Sequence, residues 1–308
     1  MMLTVTANPT IDRVYFLDNF KLGEVHRGFK FTRSAGGKGI NVARVAKIIG
    51  AEVAAMGFVG GYTGEFIKAE VEAQGIKNLF TEIKGETRTC VNISDKSGKS
   101  GEILEPGPEI SKDEEERFIE DYKNNIDSYN LICVSGSLPK GLDSSFYIKL
   151  TEIANKKEKK IIVDTSGRAL KDVLKAKLYM VKPNSDELSE LLGKEIKTDE
   201  EIKYALDFLF KNGIKIPFLT LGKDGGATLY NGQYYRFQPP KVEVVNAVGS
   251  GDSVIAGISA GLDMGYDVID AIKLGMAAGT ANTQFCETGI VTKELVDEFY
   301  SQIVVKKI

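Results

Sequence analysis

Short apolar runs rich in β-branched residues alternate with amphipathic stretches along most of this chain. The runs end in polar or glycine-containing turns, which is typical of buried strands. These predicted strands lie at 3–7, 131–136, 160–167 and 179–184. Between them, the spacing of apolar residues predicts helices over 112–126, 145–155 and 200–212. This βαβα order favours a doubly wound, mainly parallel sheet, and ligands are expected at the carboxyl ends of its strands.

Two stretches, 14–33 and 86–105, break this rhythm. In the second stretch, TRTCVNI and KSGEILE alternate as half-exposed antiparallel strands do, with a turn of Lys96, Ser97 and Gly98 between them. We interpret both stretches as a small β lid. Because the sequence has no Pro- or Gly-rich linker, internal repeat or low-complexity tract, we expect one domain over 1–308.

Composition then narrows the class of function. The net charge is −3 without a long block of like charge, so neither nucleic acid nor an anionic membrane surface is an expected partner. No run of about eighteen apolar residues predicts a membrane span. Cys90, Cys133 and Cys286 lack metal-ligand spacing and are expected to be buried thiols of a cytoplasmic protein. Since His26 is the single histidine, acid–base chemistry must fall to a carboxylate, lysine or cysteine.

The strongest chemical signal is Asn-Ala-Val-Gly-Ser-Gly-Asp at 246–252, between a strand-like run and a helix of small residues. Gly249, Ser250 and Gly251 would place several N–H groups at a helix N-terminus, which favours an anion. Such a cradle stabilises the charge of a transferring phosphoryl group, and Asp252 would take the proton of the acceptor hydroxyl. In isolation, an N-cap on a core helix would be the better explanation of the same residues.

A second glycine motif, Gly-Gly-Lys-Gly-Ile-Asn-Val-Ala, lies at 36–43. Together with the cluster at 249–252, and with the α/β pattern between them, it resembles the ribokinase-like (PfkB) carbohydrate kinases over essentially the whole chain. The resemblance implies a ribokinase-like three-layer αβα sandwich with a mainly parallel central sheet and a small β lid. It also implies ATP and Mg²⁺ as cofactors and, because relatives often pair their lids, a homodimer through the lid.

Segments 83–89, 102–108 and 134–141 look most like the tagatose-6-phosphate kinase and 1-phosphofructokinase branch. Both act on phosphorylated ketohexoses, so the resemblance implies ATP-dependent phosphorylation of tagatose 6-phosphate or fructose 1-phosphate to the bisphosphate. The sequence does not separate these two acceptors. Many members carry Asp-Thr where this chain has Asn246 and Ala247, and we interpret this departure as a branch marker.

The resemblance also assigns residues to the sugar. Asp12 matches the aspartate that accepts hydrogen bonds from sugar hydroxyls, although an Asx turn would also explain it. Gly36, Gly37 and Asn41 match the sugar-binding loop. A phosphorylated substrate needs fixed cations, for which a guanidinium fork is the best geometry. The candidates, in order of preference, are Arg88, Lys38 and Arg27.

On the nucleotide side, the resemblance implies an Asn-x-x-Glu motif, a glycine-rich turn along ATP and a position close to adenine. The matching residues are Lys182, Asn184, Glu187, Thr220, Gly222, Gly225 and Asn282. Glu187 would act on Mg²⁺ largely through water, since that ion keeps several waters when it binds phosphates. Without the resemblance, Asn184 and Glu187 would be interpreted as a helix cap.

Two alternatives stay open at this point. A kinase for an unphosphorylated sugar or nucleoside would lack convergent cations at the distal end of the sugar. A catalytically silent sugar-phosphate sensor would retain the fold for binding alone. A serine hydrolase and a dinucleotide-dependent oxidoreductase are disfavoured, because the Gly-x-Ser-x-Gly elbow and the Gly-x-Gly-x-x-Gly fingerprint are missing.

Overall fold

The computed structural model describes residues 1–27, 30–95 and 100–308, so the predicted turn of Lys96, Ser97 and Gly98 lies outside the described residues. The strands are β1 (Met2–Thr6), β2 (Thr10–Leu17), β3 (Lys30–Gly36), β4 (Val53–Val59), β5 (Lys77–Asn78), β6 (Thr81–Glu82), β7 (Arg88–Asp95), β8 (Ser100–Leu104), β9 (Leu131–Ser135), β10 (Lys160–Asp164), β11 (Met180–Val181), β12 (Ile216–Thr220), β13 (Gly226–Tyr230), β14 (Gln233–Gln238) and β15 (Val304–Lys307). The helices are α1 (Lys38–Ile49), α2 (Gly61–Ala73), α3 (Lys112–Asn125), α4 (Ser145–Lys156), α5 (Gly167–Val173), α6 (Ser185–Leu192), α7 (Asp199–Lys211), α8 (Ser250–Asp263), α9 (Val268–Asn282) and α10 (Lys293–Gln302).

Within the described chain, eleven strands form a central sheet in the order β15-β14-β13-β12-β11-β10-β9-β1-β4-β5, and β6 also pairs with β4. Pairings from β12 to β5 are parallel, and β13, β14 and β15 extend one edge in antiparallel fashion. The chain proceeds from β1 to β4 in one direction and from β9 to β12 in the other. This reversal confirms the doubly wound, mainly parallel sheet.

Side chains alternate between the two faces of the sheet, as the period of two in a strand requires. In β9, Leu131 and Cys133 enter the core shared with α1, α2, α8, α9 and α10. Ile132 and Val134 enter the opposite core, shared with α3 to α7. Because central strands such as β1, β4 and β9 are buried on both faces, their sequences read as continuous apolar runs. The three-layer αβα arrangement is confirmed.

A second sheet has the order β3-β2-β7-β8 among the described residues, and we refer to it as the lid sheet. β2 and β7 pair in parallel at its centre, whereas β3 and β8 pair in antiparallel fashion at its edges. Its strands begin earlier than predicted, at Thr10, and β3 continues to Gly36. The lid sheet therefore leads directly into α1, where the second glycine motif lies.

The cysteine expectation holds in part. Cys90 and Cys133 are buried, but Cys286 is exposed, because it lies in the turn after α9 where the chain leaves the core. None of the helices in the described residues has the length and hydropathy needed to cross a bilayer.

Candidate active site

A cavity of about 1270 Å³ opens at the carboxyl edge of the parallel strands. The ends of β1, β9, β10, β11 and β12 all contribute to it, because parallel strands finish at the same edge of a sheet. The contributing residues include Thr6, Ser137, Asp164, Lys182, Asn184 and Thr220. The strand order reverses beside β1, so the cavity lies where a doubly wound sheet is expected to bind its ligand.

The predicted anion cradle forms one wall of this cavity. Gly249 has φ 80°, and a Cβ at this position would lie 2.6 Å from Thr288 Cγ2, so only glycine fits without strain. An added Cβ on Gly251 would lie 3.6 Å from Lys182 Nζ. The N-terminus of α8 and a lysine ammonium therefore face the same space, which suits a phosphoryl group.

Asp252 lies in the first turn of α8 and is 7% exposed. Burial raises the pKa of this carboxyl to about 6; Asp164 adds to the rise, and Lys38, Asn41 and Lys182 oppose it. Asn41 Nδ2 donates a hydrogen bond to Asp252 Oδ2 at 2.9 Å. A carboxylate with a pKa near 6 is ionised at neutral pH and is well matched to general-base catalysis.

Sequence reasoning missed Asp164, the last residue of β10. This carboxylate is 1% exposed and lies 3.3 Å from Lys182 Nζ and 3.7 Å from Lys38 Nζ. The pKa of Lys38 is raised, chiefly by the charge of Asp164. Asp164 therefore holds two ammonium groups beside the cradle. The available signal was an aspartate that ends an otherwise apolar strand.

The predicted sugar-binding residues come together on the other side of the cavity. A Cβ on Gly36 would lie 2.0 Å from Asp12 Oδ2, so the glycine leaves room for that carboxylate. Gly37, with φ 101°, then turns the chain into α1. Burial raises the pKa of Asp12 to about 6, and the charges of Arg44 and Arg88 oppose the rise.

The proposed phosphate cations separate into two groups. Lys38 and Arg88 line the cavity. Arg27 is exposed and borders a different depression on the lid sheet, so it does not line the cavity of its own chain. Arg88 donates hydrogen bonds to the carbonyl oxygens of Glu105 at 3.1 Å and Asn8 at 3.0 Å. Its Nε is buried and has no hydrogen-bond partner within the described residues.

Asn184 and Glu187 form a capping box at the start of α6. Glu187 N donates to Asn184 Oδ1 at 2.7 Å, and Asn184 N donates to Glu187 Oε2 at 2.9 Å. Both residues line the cavity, so the cap fixes a carboxylate at its rim. No group of three or more potential metal ligands occurs in the described chain. The carboxylate of Glu187 is an oxygen donor of the kind that Mg²⁺ takes together with waters and phosphate oxygens.

Thr220, Gly222 and Gly225 also line the cavity, at the end of β12. Gly225 has φ 90°, and an added Cβ would lie 1.9 Å from the carbonyl oxygen of Phe237. This close approach explains why the turn before β13 requires glycine. The predicted nucleotide-side turn is therefore on the same cavity as Asp252.

Asn282 is completely buried and lies behind the cradle. Asn282 Nδ2 donates to Val248 O at 2.9 Å, and its Oδ1 accepts from Gly289 N at 2.9 Å. These bonds brace the cradle loop, and a place for Asn282 close to adenine stays a prediction. Thr280 and Thr283 line the cavity.

Asn246, which stands where many family members carry aspartate, makes hydrogen bonds that hold the cradle loop in place. Its Oδ1 accepts a hydrogen bond from Val248 N at 2.9 Å, and its Nδ2 donates to Cys286 O at 2.9 Å. The first bond is the two-residue pattern of an Asx turn. Asn246 therefore supports the approach to Gly249 without contacting Asp252.

A comparison with models of protein families matches residues 4–293 to the pfkB family carbohydrate kinases. The chain belongs to the pfkB family of carbohydrate kinases. The predicted family is therefore confirmed, and so is the class of enzyme, a sugar kinase that transfers a phosphoryl group to an alcohol. The cradle and Asp252 lie in a cavity large enough for two ligands, in keeping with this chemistry.

Solved structures resemble this pfkB kinase over nearly their whole length. A candidate phosphofructokinase from Staphylococcus aureus is 31% identical, with a TM-score of 0.88 and coverage of 100% of this chain and 99% of that chain. Phosphofructokinase-2 from Escherichia coli, in complex with potassium, is 26% identical, with a TM-score of 0.90 and 98% coverage of both chains. A candidate 1-phosphofructokinase from Thermotoga maritima is 25% identical, with a TM-score of 0.88 and coverage of 100% and 99%.

Proposed function

We propose that this pfkB kinase transfers the γ-phosphoryl group of ATP to a hydroxyl of a phosphorylated ketohexose, with Asp252 as the catalytic base. The observation that carries the proposal is the buried Asp252 beside a glycine cradle and the ammonium groups of Lys38 and Lys182. A base and an anion site on one cavity wall are the two elements that phosphoryl transfer to an alcohol requires.

In this mechanism, Asp252 accepts the proton of the sugar hydroxyl as that oxygen attacks phosphorus. Asn41 holds the carboxylate through its 2.9 Å hydrogen bond. The N–H groups at the start of α8, together with Lys38 and Lys182, stabilise the negative charge on the equatorial oxygens. Fixed donors of this kind contribute roughly 10² to 10³ in rate each.

Glu187 would hold Mg²⁺ through water, and the turn at 220–225 would lie along the nucleotide. Mg²⁺ neutralises charge on the phosphate oxygens when it is bound. Lys182 serves the phosphoryl end of the nucleotide, since its ammonium is placed by Asp164 next to Gly251.

The phosphorylated acceptor is supported by cations on the sugar side of the cavity. Asp12 accepts hydrogen bonds from the sugar hydroxyls, and Arg88 offers a guanidinium that lines the same cavity. Relatives point the same way, since one solved E. coli phosphofructokinase-2 contains fructose 6-phosphate. The candidate acceptors are tagatose 6-phosphate and fructose 1-phosphate, and fructose 6-phosphate belongs in the same test.

We also propose that two copies pair through their lid sheets in the cytoplasm. Large apolar side chains stand exposed there, including Leu104 at 63%, Ile103 at 61% and Phe31 at 56%. Burying such a surface is favourable by roughly 25 cal/mol per Å², and E. coli phosphofructokinase-2 has a tetrameric inhibited form. Light scattering on purified protein tests the pairing, and a monomer at micromolar concentration would refute it.

The deciding experiment is a coupled ADP-release assay with ATP and Mg²⁺. Tagatose 6-phosphate, fructose 1-phosphate, fructose 6-phosphate and unphosphorylated sugars are compared side by side, with Asp252→Asn as the control. Strong turnover of one phosphoketohexose, lost in the control, supports the proposal and identifies the acceptor. Turnover of free sugars alone would indicate a different acceptor class, and ATP binding without turnover of any sugar would favour a sensor.

A further inference from the structure

Arg44, on α1, is a buried cation that the mechanism above does not use. Its side chain is 4% exposed, which is unusual for arginine unless every donor has a partner. Nη1 donates to Asn41 Oδ1 at 3.1 Å and to the carbonyl oxygen of Thr288 at 3.4 Å. Nη2 donates to the carbonyl oxygen of Ala35. The guanidinium thus joins three segments around the cavity.

The contact with Asn41 determines which end of that amide faces Asp252. An asparagine side chain has an acceptor end and a donor end, whereas arginine only donates and an ionised carboxylate only accepts. With Arg44 against Oδ1, the NH₂ group must face Asp252, as it does at 2.9 Å. The reversed amide would place two donors together and an amide oxygen against the carboxylate.

The other two contacts reach the lid sheet and the cradle. Ala35 accepts from Arg44 through its carbonyl oxygen and donates its N–H to Glu70 Oε2 at 3.0 Å. The peptide groups on both sides of the Ala35 Cα are therefore held. It directly precedes Gly36, against which Asp12 packs. The Thr288 side chain lies against the Cα of Gly249, in the cradle.

We propose that Arg44 is a positioning residue for the catalytic base: it fixes the orientation of the Asn41 amide, and through it the Asp252 carboxylate, relative to the lid sheet. The inference rests on the proposed function in that Asp252 acts as the base. Arg44 itself contacts neither the reacting groups nor the proposed substrates.

The influence of Arg44 on Asp252 can be separated from the charges that act directly. Asp164 at the end of β10, Lys38 at the start of α1 and Lys182 after β11 all face Asp252. A variant at position 44 leaves these three in place. Its effect must therefore depend on whether Asn41 is present to transmit it.

The test is the titration of Asp252 in protein labelled with ¹³C at the aspartate carboxyl carbon, where the Asp252 signal is assigned by its loss in Asp252→Asn. Asn41 donates to the ionised carboxylate, so losing this bond must raise the titration midpoint. We expect Arg44→Met to raise it by roughly one pH unit, the size of a hydrogen bond to a charged group. Arg44→Lys, which can still donate to Oδ1, is expected to restore most of the change.

Asn41→Ala should raise the midpoint by a similar amount, and adding Arg44→Met should then change little. Leu150→Ala, in the opposite helix layer, is the control that lowers stability through a core cavity without moving the midpoint. If Arg44→Met does not fold, Arg44→Gln replaces it, because a glutamine amide can accept as well as donate and no longer fixes Asn41.

An unchanged midpoint in folded Arg44→Met or Arg44→Gln, neither of which keeps the cation, would overturn the proposal. So would an equal shift in the Asn41→Ala background, because the influence would then bypass Asn41. The midpoint needs no turnover, so a failure of the proposed reaction would leave this test intact. Where an acceptor is found, kcat should fall by roughly tenfold in Arg44→Met while KM for ATP stays constant.

Discussion

At the floor of the cavity, Asp252 and Asp164 are 7% and 1% exposed, whereas Leu104 and Ile103 on the lid sheet are 63% and 61% exposed. The floor places its charges where strand ends and a helix N-terminus meet, and each charge has a partner nearby. The lid sheet instead presents apolar side chains to solvent and contributes Arg88 from one strand. We infer that the chemistry is set by the rigid floor, and that acceptor choice and assembly depend on the lid sheet.

The largest expected effect is at the floor. Asp252→Asn keeps the size of the side chain but removes the proton acceptor, so kcat with the preferred phosphoketohexose should fall by roughly 10² to 10⁴. The coupled ADP-release assay measures this loss. Because the cradle and the lysines are unchanged, ATP affinity by calorimetry should stay within a few fold. Turnover within tenfold of the wild type would contradict the role of Asp252 as base.

The same substitution should stabilise the folded protein at high pH. The folded-state pKa of Asp252, about 6, lies above its ordinary value of 3.8, so the folded state binds this proton more tightly than the unfolded state does. The free energy of unfolding should therefore fall as pH rises from about 4 to 6 in the wild type. Asparagine has no charge to bury, so it does not lose stability in this way as pH rises. We expect the free energy of unfolding of Asp252→Asn to exceed that of the wild type by on the order of 2–3 kcal/mol at pH 8.

Urea unfolding at pH 8 and pH 4.5 measures this difference, which should shrink to about a third at the lower pH, where the unfolded carboxyl is still mostly ionised. Asp12, whose pKa is raised by the same cause, is present in both proteins and cancels. A variant less stable than the wild type at pH 8 would show that Lys38 and Lys182 outweigh the cost of burying the ionised carboxylate.

On the lid side, Arg88→Ala should lower kcat/KM for the phosphosugar by roughly 10- to 100-fold, through loss of a charged fork on the phosphate. Arg33→Ala is the matched control, since Arg33 is on β3 of the same sheet but stacks over Phe66 at 4.6 Å. The comparison uses phosphorylated and unphosphorylated sugars. An unchanged efficiency on the phosphosugar would remove Arg88 from the phosphate site.

Local sequence patterns predicted much of this arrangement. The apolar runs located β1, β9, β10 and β11, and the break in rhythm located the lid sheet. Glycines at 36, 37 and 249 carried a signal because close approach or a positive φ leaves few other choices. These features depend on neighbours within a few residues, which is the range over which sequence periodicity is informative.

The remainder depends on contacts between distant segments. Asn41 and Asp252 are 211 residues apart, so their hydrogen bond follows from sheet topology and from no local pattern. Arg44 looks like a solvent-facing helix residue until α8 and the lid sheet enclose it. Asn282 is held by the backbone of Val248, 34 residues away, so its buried place behind the cradle loop also follows from tertiary contacts. The placement of Arg27 at a phosphate stays a prediction.

The smallest expected effect tests whether the lid sheet positions Asp12. In Gly36→Ala, the new methyl group would lie 2.0 Å from Asp12 Oδ2 and turn the carboxylate away, so kcat/KM should fall by roughly tenfold. Gly101→Ala, in β8 of the same sheet, meets no atom within 4 Å and should have little effect. In an Asp12→Ala background, the methyl group has no carboxylate to displace, so Gly36→Ala should become nearly silent. An equal loss in both backgrounds would show that position 36 acts through the backbone instead.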